Sequence, residues 1–149
     1  EGDEDRLASL RAAFAGEPRV EVVHADELGA RGRGWADLVL TDVPCSNSGV
    51  LPRRTEARYR VRGEAMTRMI AVQRDILRTA RGMLREGGRL VYSTCSLERE
   101  ENADQAAWAV AELGLTLERE RSVLPAGEPG GPDTAYRDGS YAAEMTVTG

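Results

Sequence analysis

The chain has no lysine, so its 20 basic residues are all arginine. It has two cysteines, one histidine and one phenylalanine among 149 residues. Each shortage excludes something. Two cysteines cannot build the disulfide framework of a small secreted domain. No Cys/His set has metal-ligand spacing, so no metal is expected, and the lone His24 reads as a structural residue. There is no apolar run of bilayer length and no charged-then-apolar leader, which fits a cytoplasmic protein. A formal net charge of −5 argues against indiscriminate binding to nucleic acid, although net charge can hide a local basic patch. Arginine-only usage can follow from a GC-rich genome; where the arginines cluster, their guanidinium forks still favour phosphate.

The length suits one domain, and 41% hydrophobic with 30% charged residues suits a globular one. The chain opens "EGDEDRL", without methionine and directly in helical sequence, so it is expected to be part of a longer protein. "DEDRLASLRAAF" puts Leu7, Leu10 and Phe14 at helical spacing, with acids in the first turn. Gly16 and Pro18 end that helix. "RVEVVHAD" predicts a strand, and "WADLVLTDV" a second one, apolar throughout as if both sheet faces were covered by helices. Glu64 to Leu84 reads as a long helix stopped by "EGG", Glu86 to Gly88. "RLVYSTC" is a third strand and "LEREENADQAAWAVAEL" a helix ending near Gly114. "LTLERERSV" alternates like a partly exposed strand, and "YAAEMTVTG" predicts a last one. Strands alternating with helices imply an α/β layer with a mostly parallel sheet.

Ligands of such sheets bind beyond the C-terminal strand ends. Asp26, Asp42, Cys45 and Cys95 all fall there, on three successive predicted strands. The two thiols could be packed hydrophobes, a disulfide or a reactive pair; a disulfide fits poorly with a cytosolic chain. An ordinary thiol is only a few per cent thiolate at neutral pH, so a nucleophile needs help. For Cys95, the following helix with Ser96 as its cap would supply it, while Glu98, Glu100 and Glu101 would oppose it. Asp42, ahead of Pro44-Cys45, can recognise an amino group and a ring nitrogen or accept a proton. Downstream, "PRRTEARYRVRG" gathers Arg53, Arg54, Arg58, Arg60 and Arg62 around Tyr59. Charge runs are usually solvated faces, but this one adjoins the cysteine loop and offers an aromatic stacking surface to a polyanion.

At these residues the chain resembles a family. "TDVPCSNSGVLPRRTEARYR" is similar to the Asp-x-Pro-Cys-Ser block of S-adenosylmethionine-dependent RNA (cytosine-5) methyltransferases, the Sun/nucleolar-protein family. "GGRLVYSTCSLEREEN" is similar to their Thr-Cys-Ser…Glu-Glu-Asn block, and "QRDIL" and "DGSYAA" follow the same order. The resemblance covers nearly the whole chain. It implies a Rossmann-like class I methyltransferase sheet with an antiparallel last strand and without its N-terminal strands. It implies S-adenosyl-L-methionine as cofactor and RNA as partner, rRNA first with tRNA as the alternative; a monomer is expected. Cys95 would add to cytosine C6, Cys45 would assist loss of the C5 proton or release, and Asp42 would hold the base. Glu1 would meet the cofactor's ribose, Asp26 its adenine and Asp42 its methyl-bearing end. Arg53, Arg54, Arg58, Tyr59 and Arg60 would meet RNA. Two other readings compete: DNA cytosine-5 methylation, with the Pro-Cys thiol attacking, and a silent RNA-binding or assembly protein on the same fold.

Departures from the pattern are Thr55, Glu56 and Tyr59, where the family has proline, aspartate and tryptophan. The glycine-rich cofactor loop and an N-terminal RNA-binding region are not in this sequence, so the 149 residues are expected to be part of a catalytic domain and inactive alone.

Overall fold

The computed structural model describes residues 2–148 apart from 52, 55, 57–62, 129–130 and 133–134. The chain divides into two compact units, one up to Arg33 and one from Gly34.

The first unit begins with helix α1 (Gly2–Phe14). The backbone turns at Ala15 and Gly16, as the glycine and proline there predict. Residues 20–24 then run without regular structure, followed by the short helix α2 (Ala25–Leu28) and a 3₁₀ turn, Gly29–Arg31. This corrects the strand expected over "RVEVVHAD". Alternating residues supply a face, but a strand also needs a neighbour to complete its backbone hydrogen bonds. No described strand pairs with this segment. Arg11 donates to the Val22 carbonyl at 3.3 Å, and Arg31 lies 2.5 Å from Glu21, holding that carboxyl below its ordinary range.

The second unit is a sheet with two helices. Strand β1 (Ala36–Asp42) leads through the cysteine loop to helix α3 (Glu64–Met83), then strand β2 (Leu84–Thr94), helix α4 (Ala103–Leu113), strand β3 (Leu115–Val123) and strand β4 (Ser140–Val147). The sheet order is β1-β2-β4-β3, with β1 and β2 parallel and both pairings of β4 antiparallel. The parallel pair is joined across α3, the βαβ unit that such strands require.

α3 forms because Met66, Gln73, Leu77, Ala80 and Met83 recur at helical spacing and all are buried. It ends one residue before the sequence suggests, and not on glycine. Leu84 is already extended, and the predicted stop "EGG" lies within β2 as an irregularity between the pairings Ala36–Leu84 and Leu38–Arg89. Gly87 takes φ +69° there, and a Cβ on Gly88 would come within 2.8 Å of the Arg85 carbonyl oxygen, so these glycines serve a bulge rather than a helix end. α4 does end on a left-handed glycine, Gly114, as expected. Arg74 and Arg78 of α3 both lie over the Trp108 ring of α4, at 4.9 and 5.1 Å from its centroid.

The core is one face of the sheet. Thr41, Leu90, Tyr92, Thr94, Tyr141, Ala143 and Met145 are buried and neighbour one another across the strands. Their alternates are less buried, and on β1 Leu38 and Leu40 are exposed. The expectation that helices cover both faces therefore holds for one face among the described residues. An apolar run shows only that a strand contains apolar side chains on both faces, not what covers them.

Candidate active site

The parallel register places Asp42 beside Ser93 at the C-terminal ends of β1 and β2. The Val43 N–H donates to the Ser93 carbonyl at 3.2 Å, and the two chains leave the sheet together. Cys45 and Cys95 follow these ends and meet, with Sγ atoms 3.3 Å apart and both cysteines free. Of the readings left open by the sequence, the disulfide is the one not observed. Burial is the main influence on Cys45 and pushes its thiol up to about 12, so at neutral pH it is an S–H. Cys95 is only partly buried. Its Sγ lies 2.9 Å from Asn47 Oδ1.

Beneath the thiols lies a polar cluster that sequence reading did not anticipate. Glu101 is fully buried. One carboxylate oxygen accepts the Ser46 N–H at 2.9 Å and the Gln73 amide at 3.0 Å; the other accepts the Ser46 hydroxyl at 2.5 Å. The Gln73 amide also donates to the Pro44 carbonyl at 3.0 Å, while Tyr92 donates to the Glu101 carbonyl at 2.6 Å. Burial pushes the Tyr92 hydroxyl well above its ordinary range, so it remains a donor.

Three serine hydroxyls extend the cluster. Ser48 Oγ accepts the Leu97 N–H at 2.8 Å, and Ser96 Oγ accepts the Glu98 N–H at 2.9 Å. Ser96 stands 3.2 Å from both Ser48 and Ser46. Since Ser46 donates to Glu101, a consistent direction runs from Ser48 to Ser96 to Ser46 to the carboxylate, each hydroxyl donating once. Ser96 therefore serves the turn entering the 3₁₀ segment Arg99–Glu101; the residue before α4 is Asn102, which corrects the cap expected for Cys95. Asn102 itself accepts from Thr94 at 2.6 Å and donates to the Ser96 carbonyl at 2.9 Å. Of the three expected acids, Glu101 is the fully buried one, with both oxygens bound by donors, whereas Glu98 is partly buried and Glu100 exposed.

The backbone closes the arrangement at Gly49. Its N–H donates to the Cys95 carbonyl and its carbonyl accepts the Gly139 N–H, both at 2.9 Å. A Cβ on Gly49 would lie 2.6 Å from the Cys95 carbonyl oxygen and 2.7 Å from that of Gly139. Backbone cannot yield as a side chain can. Gly49→Ala is accordingly expected to destabilise the protein by about 3 kcal/mol, read as a lower denaturant midpoint.

The other expected site residues fare unequally. Asp42 is exposed, its Oδ1 3.5 Å from the Ser93 hydroxyl. Asp26 is exposed in the first unit, 3.3 Å from His24 Nδ1. Arg53 pairs with Asp138 at 2.7 Å and lies 5.0 Å over the Tyr136 ring, so part of the arginine stretch binds the protein itself. Arg54 is exposed. Glu1, Arg58, Tyr59 and Arg60 lie outside the described residues. Among the described residues no His, Cys, Asp and Glu group could hold a metal ion, and no helix is long and apolar enough to cross a membrane.

Parallel strands joined across α3, with an antiparallel final strand and the cysteine pair beyond the strand ends, form a Rossmann-like layer of the kind found in methyltransferases. The crystal structure of NSun6 from Pyrococcus horikoshii with SFG superposes with a TM-score of 0.72 at 26% identity, over 97% of this chain and 39% of that one. The family described as 16S rRNA methyltransferase RsmB/F matches residues 4–124, and the chain belongs to it. Ribosomal RNA small subunit methyltransferase F of Escherichia coli O6:H1 is 37% identical over 105 residues, 69% of this chain and 21% of that protein. Its counterpart from Klebsiella pneumoniae (strain 342) is 37% identical over 92 residues, 62% of this chain and 18% of that protein. The chain spans about a fifth of the length of these curated relatives.

Proposed function

We propose that the protein containing this chain methylates C5 of a cytosine in RNA, ribosomal RNA first, with Cys95 as the nucleophile. The observation that carries this reading is the pair of reduced thiols facing each other at 3.3 Å beyond two parallel strand ends. Cytosine C5 is a poor nucleophile until C6 is saturated, so a sulfur that adds to C6 makes C5 reactive. Cys95 is the more accessible thiol and suits the attack. After methylation the C5 proton must leave and the S–C6 bond must break. Cys45, a buried S–H 3.3 Å from Cys95, would relay that proton: its sulfur takes the C5 proton while its own proton passes to the departing Cys95 sulfur. Asp42 offers a carboxylate that can accept from the cytosine amino group.

S-adenosyl-L-methionine supplies the electrophilic methyl group. The exposed carboxylates of Asp26 and Asp42 have the acceptor chemistry that its hydroxyl and amino groups require, and Glu1 would add a third. The target base must be unstacked to reach a thiol between two loops, which favours a single-stranded or flipped cytosine. Arg54 offers its guanidinium to phosphate, with Arg58, Tyr59 and Arg60 continuing the same stretch; Arg53 can join them only by leaving Asp138.

The test is to incubate the full-length protein with methyl-labelled S-adenosylmethionine and unmodified small-subunit rRNA, then digest to nucleosides. Label in 5-methylcytidine is the expected result. Label on another base overturns the cytosine reading, and no label in any RNA pool favours a silent RNA-binding protein.

A further inference from the structure

Asn47 is the one described non-glycine residue with a left-handed backbone, at φ 62° and ψ 26°. Glycine takes that conformation without cost, while asparagine merely tolerates it. A side chain at such a turn invites the question of what it supplies. Here it supplies an amide in contact with the thiol pair. Its Nδ2 donates to the Cys45 carbonyl at 3.3 Å, which turns its Oδ1 toward sulfur. That oxygen lies 2.9 Å from Cys95 Sγ and 4.0 Å from Cys45 Sγ.

The geometry points to Asn47 as a positioning residue for Cys95: its side-chain carbonyl accepts the Cys95 S–H and sets where that sulfur and its hydrogen point. Donor accounting gives the pair a direction. With the Cys95 hydrogen on Asn47, the Cys95 sulfur is left to accept from Cys45 S–H across 3.3 Å. The order is Cys45 to Cys95 to Asn47, so the buried thiol aims its proton at the sulfur proposed to attack the base. At 2.9 Å the Asn47 amide also covers one side of the Cys95 sulfur, so it limits the approach of other electrophiles before substrate arrives. This role rests on the nucleophile assignment proposed above, but the contact itself does not.

The backbone conformation makes a clean test possible. Asn47→Gly deletes the amide while relaxing the turn, so lost function cannot be ascribed to a disrupted loop. In the full-length protein, iodoacetamide labelling at pH 7 is followed separately on the Cys95 and Cys45 peptides by mass spectrometry. Melting midpoint and methyl-transfer kinetics are measured on the same samples. For Asn47→Gly we expect an unchanged or higher midpoint, several-fold faster labelling of Cys95 alone, and kcat lowered about tenfold with KM for RNA unchanged. For Asn47→Asp, which keeps an acceptor but adds a negative charge beside the sulfur, Cys95 labelling should fall below the wild-type rate. Labelling of Cys95 within twofold of wild type in Asn47→Gly overturns the inference, as does equal acceleration at Cys45. The labelling arm needs neither RNA nor methyl donor. Absence of methyl transfer in the wild type would therefore defeat the proposed activity and leave this contact to be decided on its own.

Discussion

Cys95→Ala is expected to abolish covalent RNA capture and reduce methyl transfer by a factor on the order of 10⁴, because in the proposed assignment its sulfur is the one that saturates C6. Cys45→Ala is expected to behave differently. On the proposed roles, Cys95 gives up its own thiol proton as the S–C6 bond forms, whereas breaking that bond needs a proton removed from C5. With Cys45 gone, the adduct should accumulate as a protein–RNA species resistant to denaturing electrophoresis, and turnover should drop about 10²- to 10³-fold. The asymmetry rests on two observations: Cys45 is 5% exposed and its thiol is pushed up to about 12, while Cys95 is only partly buried. Adducts that persist without Cys95 and vanish without Cys45 would reverse the roles and favour the order proposed for DNA cytosine methylation.

Glu101→Ala should have the largest effect on stability. It removes the acceptor for the Ser46 N–H, the Ser46 hydroxyl and the Gln73 amide at once. Those donors are buried with it, so water cannot replace the lost partner without entering the core. Leaving one buried donor unpaired costs about 1–3 kcal/mol, and breaking a network at its centre about 3–5 kcal/mol. A loss of about 4 kcal/mol is expected in chemical denaturation. Glu101→Gln keeps the shape but turns an N–H₂ toward one of the donors, and about half that loss is expected. If both variants unfold at the wild-type midpoint, the carboxylate is not holding the cysteine loop.

Much of this site was legible in the sequence because its chemistry sits at strand ends. A thiol one loop beyond β1 and another just beyond β2 must approach each other once those strands pair in parallel, and both strands read clearly as apolar runs. α3 was equally legible from Met66, Gln73 and Leu77 at helical spacing. The supports were not. Glu101 looks in sequence like one of several surface acids, since only tertiary contact shows that its oxygens face Ser46 and Gln73. Asn47 sits in a small polar turn whose left-handed backbone has no marker of its own. The misread strand at 20–24 and the misread stop at "EGG" share a cause: local pattern reports what a segment could form, whereas pairing partners decide what it does form.

Gly49 has one more consequence. Its N–H is tied to Cys95 and its carbonyl to Gly139, just ahead of the strand that sits between β2 and β3 in the sheet. The loop carrying Cys45 is thus bonded both to Cys95 and to the run-up of the final strand and cannot open as an independent flap. Amide exchange at Gly49 and Gly139 should follow that of β4 rather than that of the surface turns. The thiols therefore stay with the sheet.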